Sequence, residues 1–305
     1  MIKKGEKDLM NVITILTPTY NRAHTLPTLY ESLKSQDNQN FDWLIVDDGS
    51  TDETRSLIEG FVNENVVNII YIYQSNGGKA RALNTGFSKS KHSLIYAVVD
   101  SDDYLLPSAT QIFNDYIRKY EKDKEIGGFF FLYNTSDGKL LNTHGDVVNE
   151  DESLTRYEYN NKYRQNDGCI CYFNRAISKY KYPEYEGESY IGPTVIQMEM
   201  ADDFKFVFSP EVVGVAEYLE GGISKSGRKL RLKNPFGMIH YSNLMMSKRN
   251  GIITQIKYAI SIWPYAKIAK KNFLETLKLG DRPALIVLTF LPGLLLYFKW
   301  RKLLD

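Results

Sequence analysis

The chain has few cysteines, no long apolar run and almost no net charge. Only two cysteines occur in 305 residues, Cys169 and Cys171. One residue separates them, so in a strand their side chains point to opposite faces and a disulfide between them is not expected. No histidine adjoins them to complete a zinc site. We therefore predict reduced, buried or half-buried cysteines in a cytoplasmic chain, which excludes the disulfide-stapled class of secreted domain.

The longest charge-free apolar stretch is residues 284–298, which is 15 residues long. As a helix it reaches about 22 Å, short of a hydrocarbon core of about 30 Å. Pro292-Gly293 interrupts it, and cations flank it at Arg282 and at 299–302. We predict a segment that lies in, or dips into, the cytoplasmic leaflet. A buried C-terminal helix and a short true span remain alternatives. The charged first ten residues lack the apolar core of a secretory signal, so none is expected.

The net charge of +1 conceals a strong asymmetry along the chain. Residues 1–224 contain 22 Lys and Arg against 34 Asp and Glu, whereas residues 225–305 contain 16 against 3. Such a division indicates two parts with different partners. We predict no nucleic-acid partner. For the basic part, whose cations alternate with apolar residues, we predict the anionic surface of the cytoplasmic membrane.

Short apolar runs alternate with amphipathic stretches over the first 125 residues. The runs are nearly continuous in apolarity, which is typical of parallel strands covered on both faces. They occupy residues 12–16, 43–46, 67–73 and 94–99. Helical patterns lie between and after them, near Pro27, after a capping-box match at 50–53, over 79–90 and from Pro107 to about 122. This alternation predicts an α/β layered domain.

The pattern changes after residue 126. The stretches 127–133 and 139–142, joined by Asp137-Gly138, predict a β-hairpin. A further strand is predicted over 169–173 and a short helix over 195–200.

Four polar loops follow the predicted N-terminal strands. The carboxyl ends of strands in an open α/β sheet share one edge, where ligands bind. The loops are TPTYNR at 17–22, DDGST at 47–51, NGGKAR at 76–81 and DSDD at 100–103. Five carboxylates on one edge would raise one another's pKa values unless a cation or strong donors were present. Mg²⁺ or Mn²⁺ would relieve this repulsion and would also bind a diphosphate. Asp47 and Asp103 could equally cap the following helix or turn.

In their order and spacing these segments resemble family 2 glycosyltransferases with a GT-A fold, of the bacterial surface-polysaccharide type. The matching motifs are TPTYNR at 17–22, VDDGSTD at 46–52, NGGKARALNTG at 76–86 and VDSDD at 99–103. The resemblance implies a Rossmann-like nucleotide-binding sheet with helices on both faces. It also implies a metal-dependent, inverting, hexosyltransferase-type enzyme that uses Mn²⁺ or Mg²⁺ and a nucleotide-diphosphate sugar, most often a UDP-sugar.

The same resemblance assigns roles to single residues. Thr17 and Asp48 match positions that meet the nucleotide base, Lys79 falls in the loop near the base and diphosphate, and Asp100 matches the ribose-side Asp. Asp102 matches the metal-binding Asp of the D-x-D motif. The full set expected at the nucleotide sugar is Thr17, Tyr20, Asp48, Asn76, Gly78, Lys79, Asp100 and Ser101.

An inverting transfer needs one carboxylate to take the proton of the acceptor hydroxyl. We expect this base after the metal motif, among Glu184, Glu186, Glu188, Asp202 and Asp203. The segment YPEYEGESY at 182–190 resembles the family's acceptor-side segment. It favours Glu188 as the catalytic base, with Glu186 in reserve. Ser189 stands where the family's Glu-Asp pair has its Asp, so the identity of the base stays open.

The predicted organisation is a GT-A domain over 1–224 followed by a basic, partly apolar, helical, membrane-associating region over 225–305. Within the domain, a donor half covers about 10–125 and an acceptor half about 126–224. We expect a peripheral or monotopic enzyme on the cytoplasmic face of the membrane, acting on a glycan or lipid-linked acceptor. Two alternatives remain. One is an inactive GT-A-like subunit that binds a nucleotide or glycan, and the other is a phosphoacceptor or phosphohydrolase built around the Asp clusters.

Overall fold

A computed structural model describes residues 12–89, 93–141, 146–163, 167–216 and 223–304, with the backbone alone for 223–226. The strands are β1 (Ile13–Thr19), β2 (Phe41–Asp47), β3 (Asn68–Tyr73), β4 (Ile95–Val98), β5 (Tyr104–Leu105), β6 (Ile126–Asn134), β7 (Glu152–Leu154), β8 (Gly168–Phe173) and β9 (Lys205–Val215). The helices of the first half are α1 (Leu26–Lys34), α2 (Thr54–Glu64), α3 (Lys79–Lys89), α4 (Ala109–Tyr120), α5 (Arg156–Tyr163), α6 (Asn174–Ile177) and α7 (Val195–Glu199). The C-terminal helices are α8 (Ile223–Leu232), α9 (Pro235–Met245), α10 (Ile252–Ile268), α11 (Phe273–Lys278), α12 (Pro283–Leu288) and α13 (Phe290–Arg301).

The chain forms two compact units. The first comprises the described parts of 1–155, 162–181 and 200–217, and the second those of 156–161, 182–199 and 218–305. Residues 182–199, which we placed in the acceptor half, therefore pack with the C-terminal helices. The division at residue 224 remains a prediction about domains.

One mixed sheet dominates the first unit. Its strand order is β3-β2-β1-β4-β8-β6-β9-β5, with β7 paired to β9. The four strands predicted from apolar runs, β1 to β4, are parallel neighbours, and β1, β2 and β4 are buried along their whole length. Full burial explains why these runs show no alternation of polar and apolar residues. The α/β prediction is confirmed, and β8 makes the sheet mixed by pairing antiparallel to β4.

Both cysteines lie on β8. Each is fully buried and neither forms a disulfide. The predicted hairpin is present around the Asp137-Gly138 turn as a bridge between Asn134 and Leu140, and the Leu141 N–H donates to the Tyr133 carbonyl at 2.8 Å. Residues 142–145 lie outside the described part of the chain.

The second unit packs its helices around aromatic side chains. Trp263 of α10 is buried with Met246, Ile262 and Ile286, and its indole N–H donates to the carbonyl of Ile286 at 3.0 Å. The predicted interruption at Pro292 is wrong, because the break between α12 and α13 falls at Thr289. Pro292 lies in the first turn of α13, where a missing N–H breaks no intrahelical bond.

No helix within the described residues is long and apolar enough to cross a membrane. Residues 284–298 are divided between the short helices α12 and α13.

Candidate functional site

The four predicted loops lie at one edge of the first unit's sheet. Thr19 at the end of β1 pairs with Asp47 at the end of β2, and Asp47 pairs with Tyr73 at the end of β3. Leu16 of β1 pairs with Val98 at the end of β4. Parallel register thus brings all four loops to the same edge, as the sequence predicted.

The first two loops are tied together by reciprocal hydrogen bonds. The Asn21 side-chain oxygen accepts from the Thr51 N–H at 2.7 Å, and the Ser50 hydroxyl accepts from the Asn21 N–H at 2.9 Å. Asn21 has φ 52°, a left-handed conformation that asparagine tolerates. The predicted capping box at 50–53 does not form, because Ser50 bonds to this loop and α2 begins only at Thr54.

Asp48 organises the glycine loop. Its carboxylate accepts hydrogen bonds from the N–H groups of Gly77 at 3.0 Å and Gly78 at 2.6 Å, and from the Gln74 amide at 2.7 Å. Its own carbonyl accepts from the Asn76 side chain at 2.8 Å. Asp48 is only 3% exposed, so the structure shows it holding the loop in shape. The base contact expected of it stays a prediction.

Asp47 and Gly49 complete the turn after β2. The Asp47 carboxylate accepts from the Ser50 N–H at 2.8 Å and from the Tyr71 hydroxyl at 2.7 Å, which confirms the capping alternative for this residue. Burial and this bond raise the pKa of Tyr71. Gly49 has φ +85°, and a Cβ there would lie 2.8 Å from the Asn76 nitrogen. Glycine is required for both reasons.

An ion-paired cluster lies beside this loop. The Lys79 ammonium is 2.5 Å from the Asp100 carboxylate, and an Arg22 guanidinium nitrogen is 3.9 Å from the Asp102 carboxylate. Burial lowers the pKa of Lys79, but its attraction to Asp100, with smaller contributions from the neighbouring acids, raises it overall. Desolvation, followed by repulsion from Asp100, raises the pKa of Asp102 above its ordinary value. Desolvation and the same repulsion also raise the pKa of Asp103.

The carboxylates at this edge offer few ligands to a divalent cation. Within the described residues no three His, Cys, Asp or Glu side chains cluster as a metal site. Asp102 is 22% exposed and carries unfavourable negative charge beside Asp100. Mg²⁺ commonly takes one or two protein carboxylates and completes its coordination with phosphate oxygens and water. The residues therefore fit a cation that is bound by Asp102 and by a diphosphate together. They do not fit a cation whose ligands all come from the protein.

Three other predicted residues differ in how far they are exposed to solvent. Thr17 is fully buried and its hydroxyl accepts from the Trp43 indole N–H at 3.0 Å. The side chain is thus engaged within the sheet, and the expected contact of Thr17 with the nucleotide base stays a prediction. Tyr20 is 46% exposed at the edge and remains available. Ser101 is only 5% exposed, which leaves little of it for a ligand.

Sequence reasoning gave no role to Arg22 or Gln74. Arg22 belongs to the TPTYNR motif, and its guanidinium forms an ion pair with Asp102. Gln74 donates to Asp48, and its oxygen accepts from the Thr85 hydroxyl at 2.6 Å. The motif could have signalled Arg22, whereas no pattern distinguished Gln74.

Glu188, in the second unit, caps a helix. Its two carboxylate oxygens accept from the N–H groups of Phe236 at 2.7 Å and Gly237 at 2.8 Å, in the first turn of α9. In return, the Asn234 side-chain oxygen accepts from the N–H groups of Ser189 at 2.7 Å and Tyr190 at 3.0 Å. Desolvation raises the pKa of Glu188 despite these donors. A helix N-terminus binds a carboxylate well, so this geometry accounts for Glu188 without catalysis.

The acidic residues near Glu188 in the chain differ in their hydrogen-bond partners. Glu186 is exposed, and no hydrogen bond or ion pair is recorded for it within the described residues. Glu199 pairs with His240 at 2.8 Å, and the other ring nitrogen of His240 lies 3.1 Å from the Tyr185 hydroxyl. Asp203 accepts from the Tyr180 hydroxyl at 2.5 Å in the first unit.

Comparison with known proteins decides the family. The family model described as glycosyl transferase family 2 matches residues 14–185, which include all four loops. The chain belongs to this family. Glycosyltransferase GlyG of Streptococcus pneumoniae is 30% identical over 133 residues, which are 43% of each protein. The chain thus spans less than half the length of this relative.

Solved structures share the fold. Residues 1–349 of Staphylococcus aureus TarS match with a TM-score of 0.60 at 16% identity, over 96% of this chain and 90% of that one. The mannosyltransferase PcManGT of Pyrobaculum calidifontis, solved with GDP-Man and Mn²⁺, matches with a TM-score of 0.57 at 16% identity, over 99% and 87%. The TarS fragment has also been solved with UDP-GlcNAc. At these identities the likeness establishes the GT-A-like fold alone, as the sequence predicted.

Proposed function

We propose that the chain is an inverting glycosyltransferase that moves a sugar from a nucleotide-diphosphate donor, a UDP-sugar, to a glycan or lipid-linked acceptor in surface polysaccharide synthesis. The observation that carries this proposal is the edge of four loops. There Asp48 fixes a glycine loop whose Lys79 pairs with Asp100, beside the half-buried Asp102. Family membership and the nucleotide sugars of the TarS and PcManGT complexes support the donor class.

Each part of the edge has a task in donor binding. The glycine loop allows the backbone to approach a ligand closely, and it precedes the N-terminus of α3, which favours an anion. Lys79 and Arg22 supply positive charge beside Asp100 and Asp102. A donor diphosphate would compete with these acids for both cations. Tyr20, exposed on the adjoining loop, supplies an aromatic surface for the nucleotide.

A divalent cation, Mn²⁺ or Mg²⁺, would be held by Asp102 and would neutralise charge on the departing diphosphate. The acceptor hydroxyl attacks C1 of the sugar as the bond to the diphosphate breaks, and a carboxylate takes the hydroxyl proton. We assign that carboxylate to Glu186 in preference to Glu188, because both oxygens of Glu188 are engaged by α9.

The acceptor and the location are supported by one relative and by the composition of residues 225–305. TarS, a relative 30% identical over 98 residues, 32% of this chain and 17% of TarS, is described as a poly(ribitol-phosphate) β-N-acetylglucosaminyltransferase. This supports an acceptor among surface polymers. The basic, apolar residues 225–305 support peripheral or monotopic attachment at the cytoplasmic face of the membrane.

The test is nucleotide release by the full chain with Mn²⁺ and a panel of UDP-sugars. We expect turnover with at least one donor and its loss in Asp102→Ala. Asp115→Ala, at an exposed position on α4, serves as the matched control and should retain turnover. Equal turnover in both variants would remove the metal assignment. Glu186→Gln should abolish turnover without lowering UDP affinity.

The second candidate is an inactive GT-A-like subunit that binds a nucleotide or glycan. The observation that favours it is the capping of α9 by Glu188, because α9 engages both oxygens of the acid that best matches the family's acceptor segment. Calorimetry showing UDP binding without turnover of any donor, in the presence of acceptor extracts, would favour this candidate.

A further inference from the structure

The last two helices expose a row of large apolar side chains. Of the 17 exposed large apolar residues in the described chain, 12 lie between 252 and 304, so the feature belongs to the second unit. Four of them form what we call the C-terminal stripe: Leu288 (79% exposed), Leu291 (70%), Leu295 (72%) and Phe298 (53%). No neighbour within the described residues covers this stripe.

Three of the four stripe residues lie on one side of α13, and Leu288 ends α12 just before it. Intervals of three and four residues keep Leu291, Leu295 and Phe298 on one helical face. The opposite face is also apolar and is already packed. Gly293 lies against Trp263, where a Cβ would come within 2.3 Å of the indole, and Trp300 is buried in the core that contains Tyr265. A helix that is apolar on both faces is normally covered on both, so we expect a partner on the outer face.

The charges around the stripe indicate what that partner is. Residues 282–304 contain no Asp or Glu, and α13 ends in Lys299 and Arg301, followed by Lys302. Lys302 comes four residues after Phe298 and continues the same face. Leucines and a phenylalanine that end in cations are typical of a helix lying in the interface of an anionic membrane. A 12-residue helix lies along such a surface and is too short to cross it.

We propose that the C-terminal stripe binds the surface of an anionic lipid bilayer, with its apolar side chains among the acyl chains and its cations at the headgroups. A second copy of the chain is a poorer partner, because it would bring more cations and no acid from this segment. An anionic polymer would use the cations and leave the leucines in water. The proposal rests on the membrane attachment in the proposed function and assigns it to one surface, but it does not rest on sugar transfer, so either of these two can fail without the other.

The experiment is flotation of the full chain, without donor sugar, with vesicles of phosphatidylcholine alone or with about 30% phosphatidylglycerol. We expect the wild-type chain to bind the anionic vesicles. L291Q/L295Q should lower the partition coefficient on the order of 100-fold, because two leucines no longer enter the apolar region. The matched control V66Q/L94Q alters exposed apolar residues of the first unit and should change binding by less than about twofold.

A second variant separates the contribution of charge. K299Q/R301Q/K302Q should weaken binding to anionic vesicles by tens of fold and leave binding to neutral vesicles unchanged. Because every substituted residue is exposed, circular dichroism should match the wild type.

Three results would overturn the proposal: no wild-type binding to anionic vesicles, equal binding by L291Q/L295Q and wild type, or equal loss in V66Q/L94Q. Dimers that L291Q/L295Q abolishes, without vesicle binding, would assign the stripe to a second copy. Salt-sensitive binding to a polyanion that is insensitive to the leucine substitutions would assign the cations to a polymer.

Discussion

Replacing Asp48 by Asn separates two possible roles of this residue. The Asp48 carboxylate accepts from Gly77, Gly78 and the Gln74 amide while nearly fully buried. An asparagine oxygen can serve two of these donors, and its NH₂ group must face the third. One hydrogen bond to a charged acceptor is lost and one donor is left unsatisfied, for which we expect a loss of about 2 kcal/mol.

The assay is thermal unfolding of the ligand-free chain, followed by UDP titration. A loss of about 2 kcal/mol corresponds to a fall of roughly 4–8 °C in the Tm of a unit of this size. A residue that only contacts the nucleotide base would lower UDP affinity and leave this ligand-free Tm unchanged. Asp115→Asn is the control for loss of one exposed carboxylate, with an expected change within about 0.5 kcal/mol. An unchanged Tm in Asp48→Asn would refute the loop-holding role.

Two further predictions concern the second unit. Glu188→Gln should lower the free energy of unfolding by about 1–2 kcal/mol, because one charge-assisted hydrogen bond to α9 is lost. Glu186→Gln should change the free energy of unfolding by less than about 0.5 kcal/mol and should abolish turnover instead. Urea titration of both variants checks this, and the reverse pattern would return the base role to Glu188. Gly293→Ala should destabilise by about 1–3 kcal/mol, since its Cβ would overlap Trp263. Gly60→Ala, with nothing within 4 Å of its Cβ, should not destabilise, and equal Tm values for the two alanine variants would contradict this packing.

The sequence predicts the edge where the four loops meet, because the signals for it are local. Continuous apolar runs marked β1 to β4, and parallel register then required their loops to meet. The contacts that the sequence does not predict join residues far apart in the chain. Thr17, predicted to meet the nucleotide base, accepts a hydrogen bond from Trp43, 26 residues away. Glu188, predicted as the catalytic base, accepts one from Phe236, 48 residues later.

The break in the C-terminal apolar run is a second feature that depends on contacts between distant residues and that the local sequence does not predict. Proline and glycine usually end helices, so Pro292-Gly293 was the expected position. The structure retains both in α13, because Pro292 lies in the first turn and Gly293 allows contact with Trp263. Only packing against α10 distinguishes this arrangement, and no local pattern encodes it.

Calorimetric titration of UDP, with and without Mn²⁺, tests the central claim that the four loops form a nucleotide-diphosphate site. We expect the wild-type chain to bind UDP more tightly with Mn²⁺, and Asp102→Ala to keep the metal-free affinity but lose the increment from Mn²⁺. Absence of UDP binding under both conditions, or an undiminished Mn²⁺ increment in Asp102→Ala, would contradict the account.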